Sequence, residues 1–305
     1  KKVVRMRSII SFRRSRLSLG TSSFTTRGYT LAITRQVSPQ ITDALVMKQD
    51  EEASSSSTTT RTTNTTSPMS YSIAHEQHQN YVKTLRSILP TMELPYLDGY
   101  PDCVFVEDCL VAVGTTVVVT QPGHSSRRGE VSSLRSVVEQ FGFTVAVMEG
   151  DAYLDGGDVL YTGRHMYVGR SSRTNDAGIR FLEQTFPEIR ILPVTIPSSD
   201  LHLKSVVTHL DDETLLAPLS DCGTQVLTDM LDSGGYETIR LPHPKACNVV
   251  RVRNHVLAQP VDCEESKQLL LDACQERNLQ IHWVDTSEFG KVDGALTCQS
   301  VLLDC

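Results

Sequence analysis

The chain has 305 residues, 39% of them hydrophobic and 21% charged, with a formal net charge of −7. This is the composition of a globular protein, and no apolar run approaches the roughly 18 residues that a membrane-spanning helix requires. Residues 1–42 hold nine Lys and Arg and no acidic residue, so the remainder carries 20 basic against 36 acidic side chains, a balance that excludes a general nucleic-acid binder.

Eight cysteines, at 103, 109, 222, 247, 263, 274, 298 and 305, form no CxxC pair. In a chain long enough to build its own core they read as reduced thiols of an intracellular protein, any one of which can be reactive. Residues 1–27 are rich in Arg and Ser, lack acids and begin with an amphipathic stretch. That pattern fits a mitochondrial or plastid transit peptide, with a disordered basic tail on a cytoplasmic protein as the alternative. Setting it aside leaves 28–305 as one domain.

Tyr29–Thr34 predicts a strand and Ile41–Lys48 a helix. In Glu51–Ser70, 13 of 20 residues are Ser or Thr, too few apolar groups to offset the entropy of ordering, which predicts a disordered insertion inside the domain. The Asn64-Thr65-Thr66 sequon is a chance product of that Thr-rich tract. From Tyr71 to Leu89, Ile73, Tyr81, Val82, Leu85, Ile88 and Leu89 recur at helical spacing until Pro90 stops them, predicting an amphipathic helix on the core. Its His75-Glu76-Gln77-His78 lacks the HExxH spacing of a zinc site and is expected on the solvated face.

Beyond Pro90 one theme returns about every 50 residues: a short apolar strand, a tight turn, a second strand, then a helix such as 129–141 or 177–186. A polar residue stands at the entry of each unit: Asp102, Asp155, His202, Asn248 and Cys298. Units of this length each bury one face on a neighbour. If five of them close around an axis, their entry residues meet in one central cavity, bringing Asp, His and Cys together. The fold class is therefore an α/β array of repeats, distinct from a run of parallel βαβ units.

Cys298 follows a Gly-containing loop, where a thiol is placed as a nucleophile, and a His with an orienting carboxylate would supply its proton traffic. On residue type alone, Cys298 and His202 read equally as buried core groups. Asp155-Gly156-Gly157-Asp158 allows a tight turn and a close approach to a neighbouring segment. Asp102, Glu107 and Asp108 cluster around one strand, and such a group suits a planar guanidinium. Arg127 and Arg173, each flanked by Ser after a strand, could clamp a carboxylate. No phosphate-binding glycine motif occurs, which argues against a nucleotide cofactor.

Together Pro101–Asp108 (PDCVFVED), Leu154–Leu160 (LDGGDVL), Arg173–Asn175 (RTN), Leu201–Ser205 (LHLKS) and Lys291–Cys298 (KVDGALTC) closely resemble the dimethylarginine dimethylaminohydrolases of the pentein, or guanidino-group-modifying, superfamily. The match runs in order from about residue 29 to the C-terminus and leaves out the leader and the Ser/Thr-rich insertion. The resemblance implies a five-bladed α/β propeller of ββαβ-type units around a central active-site cavity. It implies hydrolysis of N-ω-methylated arginine to citrulline and a methylamine through a covalent thiouronium. Cys298 would be the nucleophile, His202 the general acid and base, and Asp155 the carboxylate orienting it or holding the guanidinium. Asp102, Glu107 and Asp108 would bind substrate on the acidic side, Arg127 and Arg173 its α-carboxylate, with Asp293 and the Val292 backbone at the mouth. No cofactor or metal is implied for the reaction, although a thiolate beside a neutral His can capture an inhibitory Zn²⁺ at Cys298. The only partner implied is the small-molecule substrate; neither nucleic acid nor membrane is, and oligomeric state is left open. The family's lid near the first strand is not carried over, because the chain there runs into the Ser/Thr-rich stretch. A deiminase-like hydrolase of another guanidino compound and a non-catalytic methylarginine-binding propeller are the alternatives.

Overall fold

The computed structural model describes residues 28–46 and 68–304; the expected leader and most of the insertion lie outside them. Four consecutive units share one topology, a short antiparallel hairpin followed by a helix and a third strand parallel to the second. They are β3 (Leu110–Val113), β4 (Thr116–Val119), α2 (Val131–Gln140) and β5 (Thr144–Val147); then β6 (Val159–Tyr161), β7 (Met166–Arg170), α3 (Asp176–Thr185) and β8 (Ile191–Thr195). After a one-turn helix α4 (Leu203–Val206) come β9 (Thr208–Asp211), β10 (Thr214–Pro218), α5 (Asp221–Gly234) and β11 (Glu237–Leu241). The fourth comprises β12 (Val249–Val252), β13 (His255–Ala258), α6 (Glu264–Glu276) and β14 (Gln280–Trp283). A parallel return cannot be made by a tight turn, so each helix is the crossover that the third strand requires.

The fifth unit is assembled from both ends of the described chain. β15 (Val301–Leu303) pairs antiparallel with β1 (Leu31–Arg35), in the register Leu31↔Leu303 and Ile33↔Val301. β1 in turn pairs parallel with β2 (Thr91–Leu94), across the crossover helix α1 (Tyr71–Arg86). The five three-stranded sheets form the expected ring, and the first of them closes it.

Buried side chains collect between neighbouring sheets. Leu160, Tyr167 and Val194 pack on Leu215, Ala217 and Met230. On one side of the closing sheet Leu31, Ile33, Val301 and Leu303 meet Val106, Leu110, Val117 and Leu134; on the other, Ala32, Tyr81 and Leu85 meet Val250, Val252 and Leu257. With helices and sheets on both faces, middle strands such as β4 and β10 are buried almost throughout and read as continuous apolar runs. The inner strands β3, β6, β9, β12 and β15 surround an axial cavity of about 140 Å³. Among the described residues no helix is long and apolar enough to cross a membrane.

Two expectations are corrected. The predicted helix from Ile41 is a single 3₁₀ turn, Ile41–Asp43, with Ala44 already extended; residues 47 and 48 of that prediction lie outside the described ones. In α1 the core face is set by Ala74, Gln77, His78, Tyr81, Val82 and Leu85, whereas Ile73 is 47% exposed. Gln77 and His78, expected in solvent, are buried, because the helix packs on two polar segments: His78 meets Gln299 in the turn that precedes β15, and Gln77 meets Asp285, Ser287 and the Glu288 N–H after β14.

Truncating Leu303, fully buried at the closing pair, removes apolar contacts and leaves a cavity. Leu303→Ala is expected to lower unfolding free energy by about 2–5 kcal/mol in urea titrations, against under about 0.5 kcal/mol for a change at a typical exposed position. A midpoint unchanged for Leu303→Ala would mean that β1 and β15 do not close the ring.

Candidate active site

Each sequence-identified residue except Glu107 comes to one cavity at the entry end of the inner strands. Its walls are Asp102, Phe105, Asp108, Arg127, Asp155, Arg173, His202 and Cys298, with Leu45, Leu201, Val292, Asp293 and Gly294 at its mouth. Asp155 enters the 3₁₀ turn Gly156–Asp158, and its Oδ2 lies 2.9 Å from His202 Nε2 while its Oδ1 accepts the Gly123 N–H at 2.8 Å. A carboxylate fixed at both oxygens fixes the imidazole in turn. Asp108, on the 3₁₀ turn Val106–Cys109, places Oδ1 3.9 Å from the same Nε2 and accepts the Gly157 N–H at 3.0 Å.

The Asp-Gly-Gly-Asp turn is glycine for reasons of proximity. Neither Gly156 nor Gly157 has a positive φ. A Cβ on Gly156 would stand 2.0 Å from the Glu107 carbonyl oxygen, and one on Gly157 2.6 Å from His202 Nδ1 and 2.8 Å from Asp108 Oδ1. These are distances at which backbone must move.

Asp158, the second acid of that turn, is fully buried. Its Oδ2 accepts the hydroxyls of Ser171 and Thr174 at 2.6 and 2.7 Å, and its Oδ1 accepts the Leu203 N–H at 3.0 Å. It therefore ties the loop bearing Arg173 to the backbone just after His202. From the residues alone Asp158 has no role beyond the turn, although the second Asp of LDGGD is its visible trace.

Arg127 is a wall of the cavity, but its fork is not offered to a ligand. Nε and Nη2 bind Glu130 at 3.1 and 2.7 Å, Nη2 also donates to the Phe105 carbonyl at 2.9 Å, and Nη1 donates to Asp108 Oδ2 at 2.5 Å. Of its five donors, one on Nη1 is left for the cavity, so the expected bidentate clamp by Arg127 is replaced by a grip on Asp108. Arg173 keeps its place at the wall. Glu107 is displaced from the expected group: its Oε1 pairs with Lys204 Nζ at 2.6 Å beneath the site, and the residue lines the axial cavity.

Cys298 lies on the 3₁₀ turn Thr297–Gln299, immediately before β15. The turn is held by α1, where His78 Nδ1 meets Gln299 Oε1 at 2.9 Å and Tyr81 Oη meets Ser300 Oγ at 2.8 Å. Burial lowers the pKa of His78, against the hydrogen bond of Gln299, so it serves as a neutral strut. Leu45, which the sequence reading did not single out, lines the cavity, and its N–H donates to Asp102 Oδ1 at 3.2 Å. Its chemical signal is slight, since a backbone donor can come from any residue. The mouth on the other side is shaped by Asp293, in the left-handed region with φ 56°, and by Gly294, where a Cβ would fall 2.5 Å from the Phe105 ring.

Burial destabilises the charged form of His202, but Asp108, the Asp155 hydrogen bond and Asp158 outweigh it and raise the pKa to about 9. His202 is therefore an imidazolium at neutral pH. Asp108 moves down: burial opposes its charge, and His202 and Arg127 overcome that. Burial raises Asp102 to about 6 against Arg127. The Cys298 thiol is pushed up by burial first and then by the negative charges of Glu107 and Asp108, so it is protonated while the cavity holds no cation. Ligand atoms of Asp108, Asp155 and His202 lie within 4.8 Å of one another, but His202 as an imidazolium has no lone pair to give a metal, and Cys298, where zinc capture is implied, is outside that set. The arrangement suits an organic cation, which satisfies carboxylates and lowers a neighbouring thiol's pKa together.

Comparison with known proteins agrees. The family model described as N,N dimethylarginine dimethylhydrolase, eukaryotic, matches residues 43–282. The N(G),N(G)-dimethylarginine dimethylaminohydrolase of Streptomyces coelicolor is 33% identical over 274 residues, covering 89% of this chain and 96% of that protein. A solved structure of the Pseudomonas aeruginosa protein, a cysteine-to-serine mutant complexed with citrulline, aligns with TM-score 0.75 and 25% identity over 90% of this chain and 99% of that one. The N-terminal domain of a cyanobacterial arginine dihydrolase, 19% identical with TM-score 0.73 over 90% of this chain and 98% of that one, shares the fold. The chain belongs to the dimethylarginine dimethylaminohydrolase family of the pentein superfamily.

Proposed function

We propose that this chain hydrolyses N-ω-methylated arginine to citrulline and a methylamine, with Cys298 as covalent nucleophile. The observation that carries the reading is the convergence of Asp108, Asp155, His202 and Cys298 on one buried cavity in a chain of this family. Asp108 and Asp155 hold the guanidinium, whose delocalised charge matches paired carboxylates. Asp102 receives the α-amino group, and Arg173 with the remaining Nη1 hydrogen of Arg127 faces the α-carboxylate.

Arrival of the cation offsets the negative charges that hold the thiol protonated. Cys298 then ionises, its proton leaves to solvent, and the thiolate adds to the guanidinium carbon. The tetrahedral adduct expels dimethylamine, which takes its proton from the His202 imidazolium, leaving a thiouronium on Cys298 and a neutral imidazole. A water adds to the thiouronium carbon and gives a proton back to His202. The C–S bond breaks, returning thiolate; the adduct's hydroxyl proton passes to that sulfur, restoring the thiol as the cavity loses its cation, and neutral citrulline departs.

Cys298→Ser is expected to lower citrulline release from asymmetric dimethylarginine by more than about 10³-fold, and His202→Asn by about 10²–10⁴-fold in kcat. A Cys298→Ser protein that turns over normally sinks the mechanism. Plain arginine run beside the methylated substrate reads the selectivity; faster release from arginine moves the chain to a deiminase role. In the pH profile, kcat/KM should fall above about pH 9, as His202 loses the proton it must deliver, and below about pH 6, as Asp102 gains one and ceases to attract the amino group. A profile flat between pH 5 and 10 contradicts both assignments.

A further inference from the structure

Four of the five residues that open the repeats line the catalytic cavity; the remaining one, Asn248, does not. It is buried immediately before β12. Its Oδ1 accepts the Thr297 N–H at 3.2 Å, and its Nδ2 donates to Thr297 Oγ1 at 3.1 Å and to the Lys204 carbonyl at 2.9 Å. Thr297 is the neighbour of Cys298 and Lys204 stands two residues after His202. One planar amide therefore spans the nucleophile's turn and the histidine's turn. Lys204 carries the link on through its ion pair with Glu107, next to Asp108 in the same 3₁₀ turn.

We propose that Asn248 is a positioning residue that sets the Cys298 thiol relative to His202 and Asp108. The inference rests on the reading of Cys298 as nucleophile. The two turns belong to different sheets of the ring, so no hydrogen-bonded ladder keeps them in register. The Cys298 turn is a single 3₁₀ turn with a long Ser300 N–H to Thr297 carbonyl contact of 3.4 Å, and it is weakly held from within. Only a side chain that both donates and accepts in one plane meets the Thr297 N–H, the Thr297 hydroxyl and the Lys204 carbonyl together. Asp supplies no donor while ionised, and Leu supplies neither group.

The test uses the full chain with Asn248→Ala and Asn248→Gln, and reads two quantities. One is steady-state citrulline release. The other is the rate and pH profile of Cys298 carbamidomethylation by iodoacetamide, followed by mass spectrometry, which needs no turnover. A reacting atom misplaced by about 1 Å costs about 10²-fold, so kcat is expected to fall about 10–100-fold with KM within about threefold. Carbamidomethylation of Cys298 should change about tenfold or more, with a shifted pH profile. Thr297→Val, which removes one of the three hydrogen bonds, should show the same split to a smaller extent. Wild-type kcat and alkylation in folded Asn248→Ala, with only the melting temperature lowered, would overturn the proposal. If Asn248→Ala does not fold, the same result in Asn248→Gln, whose amide is moved by one methylene, overturns it. Altered alkylation in a protein whose wild type releases no citrulline from any substrate would uphold the role of Asn248 and remove the methylarginine reading.

Discussion

Burial of negative charge along the axis is the constraint on which the site depends. Glu107, Asp108, Asp155 and Asp158 are each less than a tenth exposed, and an unpaired carboxylate at such depth costs several kcal/mol. Each is therefore matched, Asp108 from within its own unit, Glu107 from another, and Asp155 and Asp158 in part from a neighbouring one. Arg127 holds Asp108, Lys204 holds Glu107, His202 and the Gly123 N–H hold Asp155, and two hydroxyls with the Leu203 N–H hold Asp158. The same contacts that make the burial tolerable fix the catalytic geometry, so stability and preorganisation share one set of hydrogen bonds.

The raised pKa of His202 and the raised pKa of Cys298 share one contributor, Asp108. Burial does most to hold the thiol neutral, and Glu107 and Asp108 add to it, while Asp108, Asp155 and Asp158 hold His202 charged against its burial. A site in that state is poor at attacking anything until a cation enters between the acids and the sulfur. On the proposed role of Cys298 as nucleophile, selectivity for a cationic substrate resides in the timing of thiolate formation as well as in the fit of the carboxylates.

The ring is closed by pairing of β1 with β15, and that closure also bears on the site. α1 lies between β1 and β2 and reaches the Cys298 turn through His78 and Tyr81. Cys298 is thus braced from α1 on one side and by Asn248 on the other. The helix and most of its core face were legible, since Tyr81, Val82, Leu85 and Leu89 are buried where the sequence reading put them; Ile73, apolar yet exposed, and His78, polar yet buried, are the exceptions.

What the sequence determined by itself was the repeat, the identities at the repeat entries and, through ordered motifs, the family. Apolar hairpins recur at a length that only stacked units satisfy, and Asp, His and Cys at the entries announce chemistry wherever they meet. The third strand of each unit was not legible from the residues, because strands such as Gln280–Trp283 are short, half-exposed edges without clear alternation. Tertiary structure alone decided which polar groups face the cavity. Glu107 and Arg127 carry the residue types of substrate ligands, yet Lys204 and Glu130 engage them. Asp158 and Asn248 look like a turn acid and a strand-entry amide, yet they hold the two catalytic turns. A side chain's role here depends on which partner lies within hydrogen-bonding distance; for Arg127 that partner is local, Glu130 three residues on, whereas for Glu107 and Asn248 it comes from another unit and is a property of how the ring closes in three dimensions.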